Sequence, residues 1–291
     1  MIIVIGASGF IGSYIYENLK SKKYKLTGTY NSHYTNGLVK LNIENDNLRD
    51  VLKNYNIKIA VICASESSIS KIENEKNNFH NVNVNSQKQL LEYFKEKNIK
   101  PVFISSDNIY DGNEGDYCED DKRNPLNIYG KQKLEIENFI VSHFNNFLIV
   151  RLSKVYSSKS ENKNFITDWI NSLYSGNTLN LATDRVISPT HVIDIANIIE
   201  ILIKNDESGI YNISSSDNMS YFDIGKKIIS YFGFPTEQLK KVTLLSIKHG
   251  ELIPKNTSLN SFKFKNKFQY NFISIDETIK KLSKEMKNNE I

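Results

Sequence analysis

Tyr129 and Lys133 stand four residues apart in Tyr129-Gly130-Lys131-Gln132-Lys133, a spacing that places a phenol and an ammonium on one face of a helix. An ammonium so placed would lower the phenol's pKa and also reach a ribose hydroxyl. A phenol tuned in that way exchanges a proton with a carbonyl or alcohol oxygen near neutral pH. The pair alone is weak, because tyrosine and lysine are abundant here and amphipathic helices supply such pairs by chance. It gains weight from Ser105-Ser106-Asp107-Asn108-Ile109-Tyr110-Asp111-Gly112 upstream, at the carboxyl end of an apolar run, where open α/β sheets bind ligands. Ser106 is suited to hydrogen-bond the same oxygen as Tyr129; the bland reading is a serine-rich strand end capping a turn. Near the start, Gly6-Ala7-Ser8-Gly9-Phe10-Ile11-Gly12 lies between an apolar run and a helical pattern. Glycines there permit a tight turn and a close backbone approach to a pyrophosphate, whose charge the helix N-terminus receives. The same glycines would also serve a plain strand-to-helix turn.

Positioning these groups requires alternating strands and helices. Strands are expected at Ile2 to Ile5, Lys25 to Tyr30, Leu38 to Leu41, Ile59 to Ala64, Pro101 to Ser106 and Phe147 to Leu152. Helices are expected between them, through Ile11, Ile15 and Leu19, through Leu48 to Tyr55, over Val82 to Lys97 and over Asn127 to His143. Such alternation implies parallel β-α-β units and a doubly wound α/β sheet covered on both faces. A first domain over 1–155 follows, with 190–213 (helix Thr190 to Lys204, strand Ile210 to Ile213) returning to it, and a smaller α/β domain over 156–291. In that second part, Ser157 to Asn164 reads as a polar surface loop, helix Phe165 to Tyr174 stops at Gly176, and Ser274 with Glu277 opens a last helix.

Composition excludes several classes. The 291 residues are 40% hydrophobic and 24% charged, which argues against wholesale disorder. Basic and acidic residues number 37 and 33, without a block of either sign, so neither nucleic acid nor a membrane surface is an expected partner. Two cysteines, and a start that runs directly into the glycine motif, read as a cytoplasmic protein. His33, His80, His143, His191 and His249 lack metal-ligand spacing, and Cys63 and Cys118 lack a paired histidine, so no metal and no nucleophilic cysteine is expected. Arginine is scarce, which singles out Arg49, Arg123, Arg151 and Arg185.

The G-x-x-G-x-x-G and Y-x-x-x-K motifs in this order resemble the extended branch of the short-chain dehydrogenase/reductase superfamily. Within it the chain resembles dTDP-4-dehydrorhamnose reductases and related sugar-nucleotide reductases. The family's S-T-D-Y-V-F-D-G stretch appears as Ser105 to Gly112, followed by Tyr117, Glu119 and Pro125 to Glu135. Further similarities are Arg151 after a strand, Ser188-Pro189-Thr190, Gly209-Ile210-Tyr211-Asn212 and Pro254-Lys255-Asn256-Thr257. The resemblance implies a Rossmann domain carrying NAD(P)H, a smaller substrate domain, and a site in the cleft between them. It implies an NAD(P)H-dependent reductase of the keto group of a nucleotide-activated 4-keto-6-deoxysugar, in surface polysaccharide precursor synthesis. Tyr129 would be the proton donor, Ser106 would orient the keto oxygen, Lys133 would hold the nicotinamide ribose, and Asp107 would contact the sugar or relay a proton. The related 4,6-dehydratases carry a Glu base where this chain has Asn108, which favours plain reduction.

The resemblance also places Gly6, Gly9, Phe10, Ile11, Gly12, Asn31, Asn42, Ile43, Ala64, Ser65, Glu66 and Asn83 along the cofactor. Tyr30-Asn31-Ser32-His33 offers neither an acid for a ribose 2′-hydroxyl nor an arginine for a 2′-phosphate. NADP(H) is favoured on the missing acid, with NAD(H) the alternative. Lys154, Arg185 and Lys255 are candidate diphosphate contacts, each equally readable as a solvated surface group. The family's tryptophans are replaced by Lys154 and Tyr221, and an arginine by Ile253. Two rival readings stand. One is a non-catalytic NADP-binding regulatory subunit like that of methionine adenosyltransferase, which resembles the same reductases. The other is an epimerase that retains its NAD. Helices 82–97 and 127–143 are candidates for a homodimer face, or simply for the cover of the sheet.

Overall fold

Ile2–Ile5 (β1) is four apolar residues, all buried, as suits a strand covered on both faces. A computed structural model of the chain describes residues 1–159, 164–247 and 250–288. After β1 come α1 (Phe10–Ser21), β2 (Leu26–Tyr30), β3 (Val39–Lys40), α2 (Leu48–Leu52) and β4 (Ile59–Ile62). Then follow α3 (Ile69–Asn74), α4 (Lys76–His80), a π-helical turn Asn81–Asn85, α5 (Ser86–Glu96), β5 (Lys100–Ser106), α6 (Ile128–His143) and β6 (Leu148–Leu152). The remaining elements are β7 (Val155–Tyr156), α7 (Phe165–Tyr174), β8 (Leu179–Ala182), β9 (Val186–Ile187), β10 (Thr190–His191), α8 (Val192–Lys204) and β11 (Gly209–Ile213). The chain closes with β12 (Met219–Ser220), α9 (Tyr221–Phe232), β13 (Leu239–Val242), α10 (Phe262–Phe268) and α11 (Ile275–Asn288).

Seven strands form one sheet in the order β11-β6-β5-β4-β1-β2-β3. The pairs β1–β2, β2–β3, β1–β4 and β4–β5 are parallel, with Ile3 opposite Thr27 on one side and Ala60 on the other. Strand order reverses about β1, so the crevice between the carboxyl ends of β1 and β4 is a topological switch point, where such Rossmann-like sheets bind ligands. Beneath it lies a core of Ile3, Ile5, Ala60, Ile62, Leu90, Phe94, Phe103, Ile136 and Ile149, among others.

The chain divides into two compact units: Met1–Ile109, Asn127–Arg151 and Ile195–Tyr211, and Tyr110–Leu126, Leu152–Asp194 and Asn212–Ile291. The turn-rich stretch 110–126, placed in the first domain by the order of the motifs, groups with the second unit. Tyr117 is the reason. Its N–H donates to the Ser258 carbonyl, its own carbonyl accepts from Asn260 N, and its ring stacks on Tyr110 with centroids 4.2 Å apart. The second unit's core gathers Tyr156, Ile166, Ile170, Ile187, Ile224, Ile228, Ile279 and Leu282, with short strands paired β7–β10, β8–β13 and β9–β12.

Three local expectations change. The helix expected from Val82 is preceded by α3 and α4 and is interrupted by the π turn. Thr190 and His191 pair as a strand with Val155 and Tyr156 rather than opening α8. In the loop expected to be exposed, Ser157 and Asn164 are buried, and 160–163 lie outside the described residues. Asn164 caps α7 by accepting from Ile166 N, which accounts for its burial. No helix among the described residues is long and apolar enough to cross a membrane.

Candidate active site

Within the first unit, three candidate segments lie at the carboxyl ends of neighbouring strands: Gly6 to Gly12 after β1, Ala64 to Glu66 after β4, and Ser106, the last residue of β5, with Asp107 and Asn108. Gly6 has φ +82°, and a Cβ there would lie 2.9 Å from Ala64 N. A side chain at Gly12 would run into the Gly6 carbonyl oxygen, so α1 can start this close to β1 only with glycine at that position. Gly9 N donates to Gly6 O at 3.0 Å and closes the turn. The first turn of α1 contains no acidic residue, and Gly9 supplies no capping side chain. Open N–H groups and an uncompensated dipole make this end of the twelve-residue α1 fit a pyrophosphate. Gly12→Ala should therefore lose binding of a nicotinamide dinucleotide and destabilise the fold by about 1–3 kcal/mol. Cofactor fluorescence titration and a thermal melt check both parts.

Asn31 is exposed beyond β2, and Ser32 Oγ lies 3.0 Å from His33 Nδ1. Ile43 is buried in the core, and Asn42 Oδ1 accepts from Glu44 N, a local turn. Asn83 has a different part from the expected contact with a cofactor. Its Oδ1 accepts from Ser65 Oγ and Glu66 N, and its Nδ2 donates to Glu66 O and to Gln132 Oε1 at 2.8 Å. Both N–H groups and both lone pairs are used. Asn83 thus clips the Ala64 to Glu66 loop to α6, and Gln87 Nε2 adds a bond to Ala64 O at 2.8 Å. The π turn that carries Asn83 is a helix irregularity often found at functional sites. Burial works against ionising Glu66, but the N–H groups of Ser68 and Ser67 and the Lys71 ammonium hold its carboxyl below the usual value.

Asn127 opens α6 by accepting from Gly130 N at 2.8 Å, which fixes the first turn and with it Tyr129. The Ser106 hydroxyl lies near enough to the Tyr129 phenol to favour its ionised form, against burial. Ser106 Oγ also lies 3.1 Å from Asp107 Oδ1. Asn108 Nδ2 donates to both, at 3.2 Å to Ser106 Oγ and 2.9 Å to Asp107 Oδ1. Asn108 acts here as a donor that fixes Ser106 and Asp107, and an amide cannot be a base.

Lys133 Nζ donates to the Ile104 carbonyl at 2.9 Å and lies over the Phe103 and Tyr129 rings at 4.7 and 5.8 Å. The expectation that Lys133 lowers the Tyr129 pKa is corrected. Burial raises the phenol's pKa; the nearby Ser106 hydroxyl opposes this, and the Asp107 and Glu66 charges add to it. Burial also pushes Lys133 down to about 8, against the effects of Cys63 and Glu137. The spacing brings the two groups together, but loss of water dominates both titrations. Tyr129 is therefore held as the neutral acid.

The diphosphate candidates lie in the second unit. Arg185 is 5% exposed, and its Nη1 donates to Pro254 O. Its Nε has no hydrogen-bond partner among the described residues. Val186 N donates to Lys255 O at 2.7 Å, which sets the exposed Lys255 next to the start of β9, which Arg185 precedes. Lys154 is exposed, with Nζ 5.8 Å from the centre of the Phe165 ring. His33, His80 and His143 are exposed and His191 is buried; His249 lies outside the described residues. Among the described residues no cluster could hold a metal, and both cysteines are free thiols.

Sequence reasoning passed over Glu137 and Ser105 and left Arg151 without a role. Arg151 and Glu137 form a fully buried ion pair, Nη2 to Oε2 at 2.8 Å, and Ser105 Oγ donates to Glu137 Oε1 at 2.6 Å. The signal was present in the spacing, since Glu137 follows Tyr129 and Lys133 at i+8 and i+4 on the stripe that also carries Ile136 and Ile140.

A family model described as RmlD substrate binding domain matches residues 1–288. The chain is similar to the probable low-salt glycan biosynthesis reductase Agl14 of Haloferax volcanii, at 24% identity over 265 residues that cover 88% of each protein. It is also 24% identical to methionine adenosyltransferase 2 subunit beta of Bos taurus, over 267 residues, 89% of this chain and 80% of that one. The solved dTDP-4-dehydrorhamnose reductase of Bacillus anthracis, in complex with NADP, matches the fold with a TM-score of 0.85 over 98% of each chain, at 24% identity.

Proposed function

The chain belongs to the RmlD substrate-binding-domain family, and from that premise we propose that it is an NAD(P)H-dependent reductase of the 4-keto group of a nucleotide-activated 4-keto-6-deoxysugar. The product would feed glycan synthesis. The observation that carries this reading is the neutral, buried Tyr129 phenol beside the Ser106 hydroxyl, with Lys133 one turn along α6.

Bound NAD(P)H supplies the hydride. Tyr129 gives its proton to the keto oxygen, a task suited to a phenol that burial keeps protonated across the neutral range. Ser106, beside that phenol, orients the oxygen. Lys133 binds the ribose of the nicotinamide half, and Asp107, held by Asn108, contacts the sugar. Gly6, Gly9 and Gly12 receive the pyrophosphate. The exposed Asn31 to His33 segment brings no acid against a 2′-phosphate, which favours NADP(H), as does the NADP held by the Bacillus anthracis reductase.

Arg185 holds the substrate diphosphate, because a buried guanidinium with an unpartnered Nε is matched to an anionic ligand. Arg185→Met should raise KM about 10- to 100-fold and leave kcat within a few-fold, as expected on losing a charge-assisted bond made equally in ground and transition states. Initial-rate kinetics separate the two parameters.

The similarity to the methionine adenosyltransferase subunit keeps a binding role as the second reading. The discriminating experiment is a panel of nucleotide-activated 4-keto-6-deoxysugars with NADPH and NADH. Reductase activity appears as cofactor oxidation with at least one member. NADPH binding without oxidation, together with co-purification of a stoichiometric partner enzyme, would support the binding subunit.

A further inference from the structure

Tyr129, Lys133 and Glu137 succeed one another at i, i+4 and i+8 on α6, and all three are buried. Glu137 and Arg151 are each fully buried; Oε1 accepts from Arg151 Nε at 3.0 Å, and Oε2 accepts from Nη2 at 2.8 Å. A buried pair of this kind is by itself weak support even for stability. Two further contacts give it a direction. Ser105, the neighbour of Ser106, donates to Glu137 Oε1 at 2.6 Å, so the carboxylate holds the end of β5 that carries the hydroxyl beside Tyr129. The Glu137 charge also acts on Lys133, one turn away.

The groups acting on Lys133 are Glu137 from α6, the neutral Cys63 thiol after β4, the Ile104 carbonyl and Phe103 ring of β5, and the Tyr129 ring. Glu137 supplies a carboxylate charge in that set and is the ion-pair partner of Arg151.

Resting on the reductase reading above, we propose that Glu137 is a positioning residue: the counter-ion that keeps the Lys133 ammonium charged and, through Ser105, seats Ser106 against Tyr129. Without it, Lys133 loses its proton at lower pH, and the ribose contact and the serine hydroxyl are loosened together.

The test compares the wild type, Glu137→Gln, Glu137→Asp and the double variant Glu137→Leu/Arg151→Met across pH. The readouts are NADPH affinity, kcat/KM and the folding stability of the cofactor-free protein. Lys133, pushed down to about 8, sets the alkaline limb of the first two readouts and the pH above which stability begins to rise. Glu137→Gln should move all three to lower pH by roughly one unit or more, and Glu137→Asp should return them toward the wild type. The double variant removes both members of the Glu137–Arg151 pair and leaves neither of them unpaired, so it keeps the fold if Glu137→Gln does not, and its limb should move in the same direction. Limbs and stability onset unmoved in the folded variants, with rates falling equally at every pH, overturn the proposal in favour of a purely structural pair. If the wild type reduces no keto sugar, the functional reading fails, while NADPH affinity and the stability onset still decide the role of Glu137.

Discussion

Tyr129→Phe should lower kcat by about 10²- to 10⁴-fold, the usual worth of a positioned general acid, while NADPH affinity stays within a few-fold. The substitution removes one oxygen and keeps the ring against Lys133, so the helix face and the loop held by Asn83 persist. Its stability should change by no more than about 1 kcal/mol, since only one hydroxyl, beside Ser106, is lost. Steady-state rates, cofactor titration and a thermal melt on one preparation separate these effects. A variant that keeps the wild-type rate places the acid elsewhere.

Lys133→Met should pull activity and stability in opposite directions. A depression of the Lys133 pKa from 10.5 to about 8 corresponds to about 3 kcal/mol disfavouring the buried charge. The folded-state pKa lies below the unfolded one, so between pH 8 and 10.5 the unfolded chain binds more protons, and wild-type stability rises with pH through that window. Below pH 8 the full penalty is present. The Met variant carries none of it, so it should be more stable than the wild type at pH 7, by less than that figure because the bond to Ile104 O is lost. Its contribution to the rise above pH 8 should vanish. Turnover should fall by about 10²-fold or more, as when an oriented binding contact is removed. Denaturant unfolding at a series of pH values checks the stability half; a variant less stable than the wild type at every pH contradicts it.

The parts legible in the sequence were those with a local period. Buried runs such as Ile2–Ile5 and Ile59–Ile62 announce parallel strands, and the i, i+4 spacing of Tyr129 and Lys133 puts both on the buried face of α6. What escaped depends on tertiary packing. The π turn at Asn81–Asn85 adds a residue to a helical stretch and leaves no compositional mark. Glu137 was passed over, and Arg151 stood out only because arginine is scarce; that the two pair emerges once the fold brings them together and seals both from water. Tyr117 hides in a turn-rich stretch, and only its bonds to Ser258 and Asn260 reveal which unit claims it. Spacing gives proximity but not solvation, which is why the Tyr129 pKa shift was expected in the wrong direction.

The central claim is tested most directly with NADPH deuterated at its transferable hydrogen and a nucleotide-activated 4-keto-6-deoxysugar. Mass and NMR spectra of the product should show one deuterium on the former keto carbon, and Tyr129→Phe should form that product at least about 10²-fold more slowly. NADPH bound by the chain yet recovered with its label intact in the presence of every such sugar would contradict the account.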